Sequence, residues 1–174
     1  MARGTGGEPM SRTGLFAAFG LGTAVGAVVA QRPRSAAPGS VPVTFGRPTR
    51  LARLRYEILY EPKPYPDAVL LYYDNGLYAI LSPGENHYGT YVLNGDFDEP
   101  TYSAHFISLP SADWNGKSVY HLLQFDTAAG TFTQQLTNPD DRDVPRQTGT
   151  FTLHDNVVAD PTRLTWEGAQ SLGK

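Results

Sequence analysis

Apolar and polar residues alternate along much of the chain after Arg50, and the alternation predicts strands. In "ARLRYEILYE", Ala52, Leu54, Tyr56, Ile58 and Tyr60 fall on one side. Arg53, Arg55, Glu57 and Glu61 fall on the other, interrupted only by Leu59. A period of two marks a half-buried strand. Leu51, Leu54 and Ile58 also fit a helical face, but "EPKPYP" follows at once and the tyrosines favour a strand. In "AVLLYYDNGLYAILSP" two apolar runs flank Asp74-Asn75-Gly76. Asn-Gly supplies the positive φ angles of a tight turn, so this stretch predicts a hairpin. "YGTYVLNGDF" repeats the device at Asn94-Gly95, and "TYSAHFISL" reads as a strand. "DWNGKSVYHLLQF" opens on a third Asn-Gly and runs into Val119–Phe125; "DTAAG" turns and "TFTQQL" returns. "NPDDRDVPRQ" reads as a solvated acidic loop, "TGTFTL" as a late strand and "TRLTWEG" as one more.

Eight or nine short strands joined by hairpin-length loops, with no convincing helix between them, predict an all-β fold. The expected form is an antiparallel meander closed into a small β-barrel, with a β-sandwich as the alternative. Closure removes unpaired edges. The order "VLLYYDNGLYAIL", "YGTYVLNGD", "TGTFTL" resembles that of lipocalin-like (calycin) barrels over about residues 66–153. The resemblance implies a cup for a small apolar molecule, and none of that family's binding residues carries over to positions here.

The front of the chain is different. Thr13 to Ala30 is free of charge, long enough for a spanning helix of about 17–20 residues, but diluted by Gly14, Gly20, Gly22 and Gly26. Ala18, Gly22 and Gly26 recur every fourth residue, a small-residue stripe of the kind that lets membrane helices approach, or simply a glycine-rich composition. Three readings stand. In a signal peptide, Arg3 and Arg12 form the basic region, Leu15–Val29 the apolar one and Val28-Val29-Ala30 the cleavage site. The alternatives are an uncleaved anchor over residues 1–30 and an organelle transit peptide ending near Arg55. The first sends the globule out of the cytoplasm. For an anchor, Arg32 and Arg34 would hold it on the inner side. Residues 31–50, rich in proline, glycine and arginine, read as an extended linker to a barrel domain at 51–174.

Charge follows the same division. Residues 1–55 hold eight arginines and one acid (+7), whereas residues 56–174 hold six Lys/Arg and sixteen Asp/Glu (−10), together the net −3. An acidic globule lacks the basic face that nucleic acid requires. The absence of cysteine excludes disulfides, thiolate metal sites and a cysteine nucleophile.

Candidate chemistry is sparse. None of the four histidines has the spacing of a local metal motif. His121 alternates with Val119, Leu123 and Phe125, which would put an imidazole inside an apolar cup, as a ligand contact, a proton donor or a core histidine satisfied by the backbone. His105, in phase with Ile107 and Leu109, would meet it if both point inward. His87, near a hairpin tip, and His154 read as surface residues. Among ten tyrosines, Tyr72, Tyr78, Tyr91 and Tyr102 are candidates to line a pocket, though tyrosine suits any half-buried strand. The carboxylates of "NGDFDEP" and "NPDDRD" lack the pattern of a calcium loop. No elbow, phosphate loop or dinucleotide fingerprint is present. These residues imply no metal and no cofactor. They fit a binder of a small apolar or aromatic ligand. Alternatives are a non-catalytic accessory subunit of a membrane complex, or a cavity-type cyclase or isomerase.

Overall fold

The computed structural model describes residues 43–58, 66–110, 116–137 and 146–174, all within one compact unit that begins at Pro42. The charge-free segment containing Thr13, Ala18, Gly22, Gly26 and Ala30 lies outside the described residues, as does most of the acidic loop "NPDDRDVPRQ". No helix among the described residues is long and apolar enough to cross a membrane.

Eight antiparallel strands follow one another around a closed barrel: β1 (Pro48–Ile58), β2 (Asp67–Tyr73), β3 (Leu77–Ser82), β4 (Glu85–Asn94), β5 (Thr101–Ser108), β6 (Tyr120–Asp126), β7 (Thr131–Thr137) and β8 (Gln147–Asp155). β1 closes the ring against β8, with Leu54 opposite Phe151 and Ala52 opposite Leu153. β1 starts at Pro48, so the last residues of the stretch read as a linker already belong to the sheet. At Asp74-Asn75-Gly76 the Gly76 amide donates to the Tyr73 carbonyl, and Gly76 takes φ +75°, which a side chain would resist.

The interior is aromatic. Tyr56, Tyr72, Tyr78, Tyr102, Phe106, Phe125, Phe132 and Phe151 form one cluster with the aliphatic residues of β1–β3 and β5–β6. Their rings meet edge to face or tilted, as at Tyr78–Phe106 (4.9 Å, 75°), while Tyr102 stacks on Phe125 (4.6 Å, 16°).

β2 is buried on both faces, which explains why "VLLYY" is apolar throughout. Tyr72 points into the barrel, whereas Tyr73 faces outward beneath Phe45. The outer cover of β1–β3 is the end of the chain: Val158, Leu164, Trp166, Ala169 and Leu172 pack on Leu51, Val69, Leu71, Ala79 and Leu81. Here the strand expected at "TRLTWEG" is replaced by a 3₁₀ turn (Pro161–Arg163) and a short helix, α1 (Trp166–Gln170). Local chemistry dictates this. The Asp160 carboxylate accepts from the Thr162 amide, Pro161 pre-sets the first turn, and the Thr165 hydroxyl accepts from the Gly168 amide. Arg53 on β1 then donates to the Gln170 and Leu172 carbonyls, so the cover is tied to the sheet it hides.

Candidate functional site

The two ends of the barrel differ. The β2–β3, β4–β5 and β6–β7 connections are at one end. The β1–β2, β3–β4, β5–β6 and β7–β8 connections are at the other. Of the buried polar side chains, Ser82, His87, Ser108, His121, Gln134 and Gln147 gather in the interior toward the second end, whereas Asn156, after β8, donates to the Tyr72 carbonyl at the first.

Register explains their placement. His121 lies opposite Phe106 on β5 and Leu136 on β7, all facing inward. Gln134 lies opposite Leu123 on β6 and Gln147 on β8. Tyr56 reaches Gln134 from β1: its hydroxyl donates to the Gln134 Oε1 at 2.6 Å. The Gln134 Nε2 lies 2.9 Å from the His121 Nδ1. A separation of 2.6 Å is typical of O–H···O and short for N–H···O, so the amide oxygen faces the tyrosine and the amide nitrogen faces the imidazole. An amide nitrogen only donates, so Nδ1 must accept and the ring proton sits on Nε2. The chain Tyr56–Gln134–His121 therefore holds His121 as a neutral Nε2–H donor.

Beside this chain the Gln147 Oε1 is buried with no hydrogen-bond partner among the described residues, and Gln147 is only 1% exposed. An amide oxygen left bare in such surroundings costs about 1–3 kcal/mol. The Tyr78 hydroxyl is in the same state. The Tyr72 and Tyr102 hydroxyls lie close enough to interact with one another, but neither makes a hydrogen bond of full geometry among the described residues. Burial pushes the phenols of Tyr56, Tyr72, Tyr78 and Tyr102 well above the ordinary tyrosine range, since a phenolate cannot be solvated there. None of the buried side chains among the described residues is Asp, Glu, Lys or Arg.

The sequence candidates divide. His121, Tyr72, Tyr78 and Tyr102 point into the barrel, and Tyr91 packs half-buried against the same cluster with its hydroxyl on the Tyr73 carbonyl (3.0 Å). His105 does not join them. It pairs with Val92 and Leu122 on the outer wall and is exposed, because the larger rings of Tyr102 and Phe106 claim the inner face of β5. The pair with His121 does not form. His87, expected at the surface, is buried. The β3–β4 turn is so tight that His87 falls opposite Ile80 on the inner face. His154 is half-buried on the outer side of β8, with its ring against Gly173. Gln134, Gln147 and the role of Tyr56 were missed. The available signal was a polar residue on an apolar face: Gln134 alternates with Phe132 and Leu136, and Gln147 with Gly149 and Phe151.

A groove of about 530 Å³ runs elsewhere, on the outer wall of β5–β7. Its lining includes the outward side chains Ser103, Gln124, Thr131 and Thr133, none of them buried, and touches Tyr102, Phe125 and Phe132 of the wall, but none of the buried polar side chains takes part in it. No group of three or more metal-ligating side chains occurs among the described residues. Comparison with models of known protein families, with curated proteins and with solved structures gave no match.

Proposed function

We propose that the barrel is a carrier, in the manner of lipocalin-like barrels, for a small neutral molecule with an apolar or aromatic body and a polar end. The polar end would sit at Gln147. Its amide oxygen offers a buried acceptor that a ligand N–H, such as that of an amide or lactam, would satisfy. Neutrality follows from the interior: an ion brought there would meet no counter-charge among the described residues. The observation that carries the reading is the Gln147 Oε1, buried without a partner among the described residues and lying across from Gln134, the middle of the relay that holds His121. A barrel core with no task would place apolar residues there. With its N-terminal segment as signal or anchor, such a carrier would work in an exported or membrane-tethered setting.

The test is native mass spectrometry of the protein taken from its own host, followed by denaturation of the same sample. An extra small mass lost on denaturation, and absent from Gln147→Leu, is the expected result. A wild-type chain that never carries a small molecule, and whose melting temperature responds to no neutral amide or lactam in a screen, refutes the carrier.

One observation favours the accessory-subunit reading. The outer wall of β4–β6 is uncovered, with Val92 69%, Ile107 44% and Tyr120 50% exposed, whereas β1–β3 are hidden by the chain's own end. Co-purification with a membrane complex that Tyr120→Glu abolishes would support it. Unchanged behaviour of that variant would count against it.

A further inference from the structure

The connection between β4 and β5 crosses the end of the barrel opposite His121. Phe97 from this loop turns inward, its ring 4.8 Å from Tyr72 and 5.4 Å from Tyr102, both edge-on. Asp98 reaches over to Arg50 on β1 at 3.6 Å. We propose that this loop is a displaceable stopper over a second binding site, an aromatic box of Tyr72, Tyr91, Tyr102 and Phe106. The box takes the flat ring of an uncharged aromatic molecule that bears a hydroxyl or N–H group.

Four observations carry this. First, the box already holds a ring that belongs to a loop rather than to the wall. Phe97 is only partly buried, and its contacts have the geometry that ring pairs prefer. Second, the latch is weak. Asp98 is 85% exposed at its side chain, and exposed ion pairs contribute little. Arg50 has Asp155 as a closer partner at 2.9 Å, so releasing Asp98 strands no charge. Third, the loop has a pivot and an anchor. Gly95 takes φ +97°, where a side chain would also press on Tyr102 and Glu99, while the Thr127 hydroxyl holds the far end through the Glu99 and Pro100 carbonyls. Fourth, the hydroxyls of Tyr72 and Tyr102 lie buried among these rings with only a loose contact to one another and no bond of full geometry among the described residues, and a phenyl ring cannot supply one. A ligand ring with a polar substituent can. The outer groove of about 530 Å³ runs up to Gly95, Glu99 and Tyr102, which gives an approach to the stopper from outside.

The site shares with the carrier reading only the premise that the interior admits a small molecule; its residues are at the other end. The test uses the full chain and the neutral fluorophore N-phenyl-1-naphthylamine, which has both a flat ring and an N–H group. Phe97→Ala removes the competing ring and should bind the probe about tenfold more tightly than wild type, the scale of two aromatic contacts. Tyr72→Phe in that background should reverse part of the gain. Asp98→Asn, which leaves the core intact, should speed association. Equal affinity in wild type and folded Phe97→Ala overturns the stopper. If Phe97→Ala does not fold, an unchanged association rate in Asp98→Asn overturns it. Probe binding that is lost in Gln147→Leu and indifferent to Phe97→Ala also overturns it, while leaving the carrier reading intact.

Discussion

The Tyr56–Gln134–His121 relay predicts a specific energetic coupling between strands that are far apart in sequence. Tyr56→Phe removes the hydroxyl and leaves the Gln134 oxygen without its donor. One buried acceptor loses its partner, at a cost of about 1–2 kcal/mol. Gln134→Leu is worse. It takes the acceptor from the Tyr56 hydroxyl and the donor from the His121 Nδ1, two groups at roughly 1–3 kcal/mol each, offset in part by an apolar side chain in an apolar wall. About 2–4 kcal/mol remains. In the double variant the hydroxyl and its acceptor disappear together, and only the histidine loses a partner. The double variant should therefore be more stable than the sum of the singles by about 2 kcal/mol, within the range found for residues in one hydrogen-bonded network. Urea unfolding followed by far-ultraviolet circular dichroism measures it, provided the four slopes agree so that midpoints compare stabilities. Losses that simply add, within about 0.5 kcal/mol, refute the relay and with it the assignment of the His121 tautomer.

Other consequences are simpler. Tyr78→Phe deletes a hydroxyl that is fully buried and unpartnered among the described residues, so the stability from urea unfolding should hold or rise by up to about 1 kcal/mol; a fall would reveal a partner. Tyr56, Tyr72, Tyr78 and Tyr102 all have phenols raised by burial, so they bind their protons more tightly folded than unfolded. Their contribution is complete below the unfolded tyrosine value of about 10 and is lost as pH climbs above it toward the folded values. The tyrosinate absorbance of these four should therefore appear in one cooperative step with the loss of circular dichroism, above what the other tyrosines contribute, and absence of that step at unfolding would contradict the burial. Gly149→Ala should destabilise by more than about 2 kcal/mol, because its Cβ would meet the Arg55 carbonyl, which cannot move aside, and lie 2.8 Å from the Phe132 ring. Retention of the wild-type melting temperature in that variant would show that β1 and β8 are not packed so closely.

What the chain reveals unaided is what is decided locally. The hairpins were legible because Asn-Gly chemistry acts within a few residues, and Gly76, Gly95 and Gly116 all adopt positive φ. Closure followed from counting short strands. The orientation of β2 was not legible. Both of its faces are apolar because residues 158–172 return to cover the outer one, and no local pattern announces that. The same distance hid the site. Gln134 is conspicuous on its own strand, yet only barrel closure brings it to Tyr56, 78 positions away. "TYSAHFISL" carries apolar residues on both faces, so phase alone could not decide between His105 and Phe106; the volume of the barrel interior did. The error at "TRLTWEG" was avoidable, since Asp160-Pro161 and Thr165 are capping residues at the spacing a turn and a helix require.

The tautomer of His121 bears on which kind of interior this is. A cyclase or isomerase built on His121 would need the imidazole to take or give a proton. Taking one means protonating Nδ1, because Nε2 already carries its hydrogen. Nδ1 is occupied by the Gln134 amide at 2.9 Å, and a proton placed there would face the hydrogens of an amide nitrogen. Tyr56 prevents an easy escape. Flipping the amide to present its oxygen would put a nitrogen 2.6 Å from the tyrosine hydroxyl, short for N–H···O and without the present O–H···O bond. Giving a proton means forming an imidazolate inside an interior that holds no cation among the described residues. Both directions are uphill. A group that is uphill as a base and as an acid, yet fixed with its N–H in a defined direction, is suited to hydrogen bonding. The relay thus weighs against proton transfer by His121 itself.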